Sequence, residues 1–220
     1  MNELKNYQGE VNLKEKAYNY IKEKISLCEI EEGEPLNEKK LIEEIGVSRT
    51  PIREAIQLLM QENLVRIVPY RGVYVTEITL KEANSIFQIR EALEPYIVKI
   101  VTPLISEELL IKYETIFKGI QKNDSVGFAN TDDSFHRMMY QMSDNSYIIR
   151  MMDNVRLQNQ RIRFHITKHA TDATQFVHEH LEIISFMKQG EADKAAEVMK
   201  IHVLAAKERA ISQLIQNYLT

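Results

Sequence analysis

The stretch LIEEIGVSRTPIREA, residues 41–55, decides how the N-terminal part of this chain folds. Leu41, Ile42 and Ile45 form the apolar side of a short helix that Asn37 is placed to cap, with Lys39 and Lys40 in its first turn. Gly46 follows directly and can take the positive φ of a sharp turn. Ser48 is then positioned to cap a second helix whose inner face is Ile52, Ala55, Ile56 and Leu59. Helix, glycine turn and helix is the spacing of a helix-turn-helix. Arg49, Thr50 and Arg53 fall in the first turns of that second helix, where a helix entering the major groove meets base edges and phosphates. Arginine suits the place because its fork pairs with guanine or grips a phosphate oxygen.

Working outward, Leu13, Ala17, Tyr20, Ile21 and Ile25 recur at helical spacing, and the acidic Gly/Pro stretch around residues 31–35 ends that helix. Downstream, residues 64–68 are β-prone, Tyr70-Arg71-Gly72 supplies a turn, and residues 73–76 return as a second strand. This hairpin reads as a wing with Arg71 at its tip, beside a minor groove or backbone. The pattern of two helices alone also occurs in proteins that bind no DNA, and a surface arginine is usually only a solvated charge. It is the order of helix, glycine turn, helix, hairpin and tip arginine that favours the DNA reading.

Bulk charge points the other way. The chain carries a net charge of -4, and residues 1–78 hold 11 Lys plus Arg against 14 acidic residues. Placement outweighs the sum. Between Gly46 and Thr76 stand Arg49, Arg53, Arg66 and Arg71 against only Glu54 and Glu62, while acids concentrate upstream, between Glu29 and Glu44.

Residues 41–55, with Leu64-Val65 and Arg71-Gly72, closely resemble the winged helix-turn-helix of the GntR family of bacterial repressors, over about residues 13–77. The resemblance implies base contacts from Arg49 and Arg53, a phosphate or base-edge contact from Thr50, and a wing-tip glycine at Gly72. Lys39 stands where the family often has arginine; it reaches a phosphate but lacks the bidentate fork.

From Thr79, an N-cap with Glu82 three residues on, charged and apolar residues interleave at helical spacing almost to the end. Breaks near residues 102–103, 121–125, 143–146, 167–174 and 188–191 give about six helices and no convincing strand. The fold expected is mainly α: a winged helix-turn-helix over 10–78, then an all-helical antiparallel bundle over 79–218. Pro95 falls inside the first bundle helix, where it bends the helix or marks its register. No run of 18 apolar residues occurs, the start has no apolar signal region, and Cys28 is the single cysteine, so a cytoplasmic protein without a membrane anchor is expected.

Asp132 and His136 are i and i+4 on one helix; His180 lies in a later helix and His202 in the last. Four N and O ligands from three helices could close on one divalent ion. A lone histidine on a half-buried helix is more often a hydrogen-bonded core residue, and spacing does not choose between the two. Asp132-Asp-Ser-Phe-His136, Glu179-His180 and the tract from Gly190 to Ala196 before His202 resemble the all-helical effector domain (FCD) of the FadR subfamily, in its shorter VanR-like version. That resemblance implies that Asp132, His136, His180 and His202 ligate one divalent metal ion per subunit. Zinc or nickel comes ahead of iron or manganese for such a ligand set. His165, His169 and His178 stand outside the motif, and Asn145 reads as a structural turn residue.

In such domains the metal and nearby arginines hold a small organic acid. Arg90, Arg156 and Arg161 are the candidate clamps, with interhelical salt bridges as the equal alternative. The function expected is a homodimeric repressor on palindromic double-stranded DNA. An effector shifts the helices that meet the linker at residues 77–79 and so resets the two recognition helices. Two other readings stay open: a regulator for which the ion itself is the signal, and a metal-dependent hydrolase, for which Asp133 is the only candidate base.

Overall fold

A computed structural model describes residues 12–167 and 173–219. The chain divides into two compact units, with the boundary in the sequence between Glu77 and Ile78.

In the first unit α1 (Leu13–Ser26), α2 (Glu38–Ile45) and α3 (Arg49–Gln61) precede a hairpin of β1 (Val65–Val68) and β2 (Gly72–Val75). Asn37 caps α2 by accepting from Lys40 N–H, and Gly46 ends it at φ 71°, the left-handed conformation expected of the turn. Ser48 occupies the N-cap of α3 in extended conformation, yet its hydroxyl accepts nothing from the helix. The third helical residue is Pro51, which has no N–H to offer, so half of the usual cap is missing by composition. Apolar faces of all three helices meet at Ala17, Ile21, Ile25, Leu41, Ile52 and Leu59, all buried.

The hairpin is antiparallel, with Val65 opposite Val75 and Val68 opposite Gly72. Tyr70 (φ 62°) and Gly72 (φ 107°) turn the chain at its tip. Residues 33–36, which carry no strand pattern in the sequence, add backbone bonds along β2, with Leu36 N–H donating to Val73 O and Val75 N–H to Glu34 O. The acidic loop thus anchors the root of the wing.

Among the described residues the second unit has six helices: α4 (Leu80–Val101), α5 (Glu107–Gly119), α6 (Ser125–Met142), α7 (Ser146–Thr167), α8 (Thr174–Lys188) and α9 (Ala192–Leu219). Thr79 and Glu82 form a reciprocal capping box at the start of α4. Pro95 lies inside α4, which continues to Val101. Asn145 Oδ1 accepts from Tyr147 and Ile148 N–H and so starts α7. α9 packs along α4 and α8, α6 against α7, and α5 against α8. Phe87, Phe117, Phe135, Met139, Ile183 and Met199 fill the space between them. No described helix is long and apolar enough to cross a membrane.

Candidate metal centre and nucleic-acid surface

On α3 the buried side is Ile52, Ala55, Ile56 and Leu59, which leaves Arg49, Thr50 and Arg53 exposed at its N-terminal end. Arg53 lies 3.7 Å from Glu38, but with 64 % of its side chain exposed this pairing is too weak to hold it from another anion. Lys39 and Ser48 are exposed, as are Arg71 and Gly72 at the wing tip, next to a fully exposed Tyr70. An exposed row of donors on a helix with a rigid apolar back is the form that groove recognition requires.

Inside the bundle, Asp132, His136, His180 and His202 converge: one ligand atom from each lies within 4.8 Å of all the others, and none of the four is more than 4 % exposed. α6 supplies the first two from adjacent turns, α8 and α9 one each. The rings sit in aromatic packing, His180 stacked on Phe117 at 4.6 Å and edge-on to Phe135.

Each imidazole has an acceptor behind Nδ1. His180 Nδ1 is 2.7 Å from the Phe176 carbonyl, His202 Nδ1 is 2.8 Å from Glu179 Oε2, and His136 Nδ1 is 3.3 Å from Glu94 Oε2, off the hydrogen-bond axis. An acceptor there places the proton on Nδ1 and leaves the Nε2 lone pair for a metal. In that tautomer His180 Nε2 faces Asp132 Oδ1 at 3.0 Å, two lone pairs opposed. His136 Nε2 and His180 Nε2, both buried, make no hydrogen bond, and Asp132 Oδ2 is met by the Arg163 guanidinium. Such a set of orphaned acceptors is what a cation would satisfy, and three imidazoles with one carboxylate are donors that a divalent transition metal accepts.

Electrostatics agree. Burial, the largest single influence, works to raise the pKa of Asp132, but the Arg163 guanidinium, His136 and His180 together outweigh it, and the carboxyl stays well below the usual range. Burial pushes the His202 imidazole down to about 3, the neighbouring His180 adding to it, so the ring is neutral and ready to ligate. Burial raises Glu179 as well, yet hydrogen bonds from His202 and Arg209 prevail and bring it to about 2.

A cavity of about 50 Å³ opens onto the cluster. Its polar wall is Arg90, Asn159, Arg163 and Arg209 with Asp132 and His202, and its apolar wall Phe128, Ile162, Phe176 and Ala206. Of the arginines singled out in the sequence, Arg90 lies in this wall. It grips Glu94 through Nε (2.8 Å) and a terminal nitrogen (3.2 Å), and donates to Asn159. Arg156 instead pairs with Asp133, and Arg161 is buried with a bond to Gln158; neither lines the cavity. Sequence reasoning passed over Arg163, Arg209, Asn159 and Glu94. A signal for Arg209 existed, since it stands seven residues after His202, two turns along one face of α9. His178 is exposed, while His169 and the side chain of His165 lie outside the described residues.

Comparison with known proteins gives the arrangement its family. Residues 13–75 match the bacterial regulatory proteins of the gntR family, and residues 85–205 match the FCD domain. An HTH-type transcriptional regulator of Bacillus subtilis (strain 168), YdhC, is 31% identical over 196 residues, 86% of this chain and 84% of that protein. The HTH-type transcriptional repressor RspR of Escherichia coli (strain K12) is 26% identical over 198 residues, 88% of this chain and 87% of the relative. A crystal structure of a GntR transcriptional regulator from Rhodococcus sp. RHA1 shares the fold, with a TM-score of 0.80 at 19% identity over 90% of this chain and 97% of that one. The chain belongs to the gntR family of bacterial regulatory proteins, with an FCD domain following its winged helix-turn-helix, and is a DNA-binding transcription regulator rather than a catalyst.

Proposed function

We propose that this chain is a cytoplasmic, homodimeric repressor of the FadR subfamily, VanR-like in its domain length, whose operator affinity is set by a small organic acid. Residues 10–78 would bind a palindromic operator through Lys39, Ser48, Arg49, Thr50, Arg53, Arg71 and Gly72, and residues 79–218 would receive the acid. The Escherichia coli relative RspR is a repressor, which supports the sign of regulation. Asp132, His136, His180 and His202 would hold one divalent ion per subunit, zinc or nickel ahead of iron or manganese. When bound, that ion supplies a Lewis-acid pole for a carboxylate.

The observation that carries this reading is the cavity beside the cluster, with guanidinium groups on one side and Phe128, Ile162, Phe176 and Ala206 on the other. Its volume of about 50 Å³ equals only a few waters, which fits a short acid with an apolar body. Arg90 stands on α4, whose first turn begins at the linker after Glu77, so a ligand drawing on Arg90 bears on the helix that leads back to the DNA-binding unit. A coupling of a few kcal/mol suffices to release DNA.

Native mass spectrometry with elemental analysis of the purified full-length protein tests this. A dimer with one divalent ion per subunit, lost in His136→Ala, is expected. A metal-free protein indistinguishable from His136→Ala would remove the ion from the mechanism. DNA release that tracks free metal alone, without any acid, would make the ion the signal instead.

A further inference from the structure

The tip of the wing carries a residue that its own turn does not favour. Arg71 N–H donates to the Val68 carbonyl at 3.0 Å, closing a four-residue turn with Pro69 second and Tyr70 third. Tyr70 stands at φ 62°. Proline second and positive φ third is the pattern of a type II turn, whose third place suits glycine or asparagine. A tyrosine there crowds its Cβ against the backbone, at a cost to the hairpin. The other non-glycine residues of positive φ among those described differ from it: Asn63 and Asp144 are of the short polar type that adopts this conformation readily, and Cys28 is half-buried. No contact within the chain offsets the cost at Tyr70. It is fully exposed, at 108 %, and makes no hydrogen bond or ring contact with any described residue. Neither local propensity nor packing therefore accounts for an aromatic side chain here.

We infer that Tyr70 is a DNA contact in its own right: its ring packs edge-in against the sugars that wall the minor groove, so that operator affinity depends on the width of the groove beneath the wing. This rests on the reading that Arg71 and Gly72 bring the wing tip to the duplex. The ring and the guanidinium that follow one another at the tip act differently. Arg71 answers phosphate charge, and a narrowed groove deepens the negative potential that attracts it. Tyr70 has no charge to offer; its gain is apolar ring surface taken out of water between the groove walls. The minor groove of B-DNA is about 6 Å wide, enough for a ring on edge, and an A-tract narrows it. Tyr70 thus favours sequence whose groove is open or opens easily, without reading any base.

Tyr70→Asn tests this, because it keeps a residue that accepts positive φ and removes the ring. Fluorescence anisotropy of the full chain on a duplex selected by the wild-type protein is paired with thermal melts of the same samples. Affinity is expected to fall roughly tenfold. The factor should be the same at every salt concentration, because no charge is lost. The melting midpoint should stay level or rise, whereas a merely structural residue would lower affinity and midpoint together. Tyr70→Phe, which keeps the ring, should bind like wild type. A-tracts walked along the positions of the duplex that tolerate base substitution should, at one register, shrink the gap between wild type and Tyr70→Asn. Arg71→Ala, measured alongside, reports on the underlying reading: it should lower affinity and reduce the slope of log affinity against log salt by about 1. A loss in Arg71→Ala with Tyr70→Asn binding like wild type overturns this inference alone. A gap that no A-tract register changes overturns it too. Both variants binding like wild type takes the wing itself off the duplex, and the inference with it.

Discussion

Glu179 Oε2 accepts a hydrogen bond from His202 Nδ1 at 2.8 Å, and the same carboxylate is held from its far side by Arg209. His202 is buried and depressed from 6.5 to about 3, so the unfolded chain takes up a proton that the folded one refuses. Stability from this residue is therefore complete above pH 6.5 and is lost progressively as pH falls toward about 3. Glu179, lowered from 4.5 to about 2, acts in the same direction over the lower window, its contribution present above pH 4.5 and disappearing toward about 2. Thermal melts of metal-free protein should drop in midpoint between pH 7.5 and pH 5. In His202→Gln that drop should be visibly shallower; an unchanged slope would disprove the assignment.

Asp132 and Arg163 pair with side chains only 5 % and 10 % exposed. Removing one partner leaves the other charge buried, a loss of about 3–5 kcal/mol, whereas removing both is far milder. Asp132→Ala should therefore destabilise the metal-free protein strongly in urea, and Asp132→Ala with Arg163→Met should recover most of the loss. Additive effects of the two substitutions would mean that the pair is not coupled.

Local chemistry made helix boundaries legible in both units: the Asn37 cap and the left-handed Gly46 in the first, and the box of Thr79 with Glu82 at the start of the second, are each written in neighbouring residues. Ser48 was legible in position but not in bonding, because the effect of Pro51 on its partner amide has to be added by hand. The ligand quartet was legible through the family resemblance and not through spacing, which does not separate a ligand from a core histidine; folding then brings the four side chains together. Cavity arginines were not. On α7 Arg156, Arg161 and Arg163 all interrupt an apolar pattern, and only the packing of α7 against α4, α6 and α9 settles that Asn159 and Arg163 face inward to the cavity. Residues 155–163 of α7 include none that is exposed, so this part of the helix has no solvent face from which to read its register.

Phe117 is fully buried, stacks on His180 at 4.6 Å and meets Phe135 edge-on. Phe117→Ala removes a core ring and should cost about 3–5 kcal/mol. It also frees the His180 ring to tilt. Zinc affinity should fall along with stability, whereas Leu214→Ala, at a buried site more than three turns beyond His202 on α9, should lower stability while leaving zinc affinity near that of wild type. Equal zinc affinity in the two variants would show that the stacking does nothing for the ligand.

On the DNA side, Arg49 and Lys39 are both exposed but differ in what they can offer. Arg49, in the first turn of α3, presents a fork matched to guanine, so Arg49→Ala should cost about 1–3 kcal/mol and relax preference at one position of the duplex. Lys39, in the first turn of α2, is a point charge suited to a phosphate. Lys39→Ala should weaken binding to all sequences alike and reduce the slope of log affinity against log salt by about 1. Fluorescence anisotropy at several salt concentrations separates the two, using a duplex selected by the wild-type protein and its single-base variants. If Lys39→Ala changes sequence preference while the salt slope stays put, the lysine reads a base and the division of labour between the two helices is the reverse of this one.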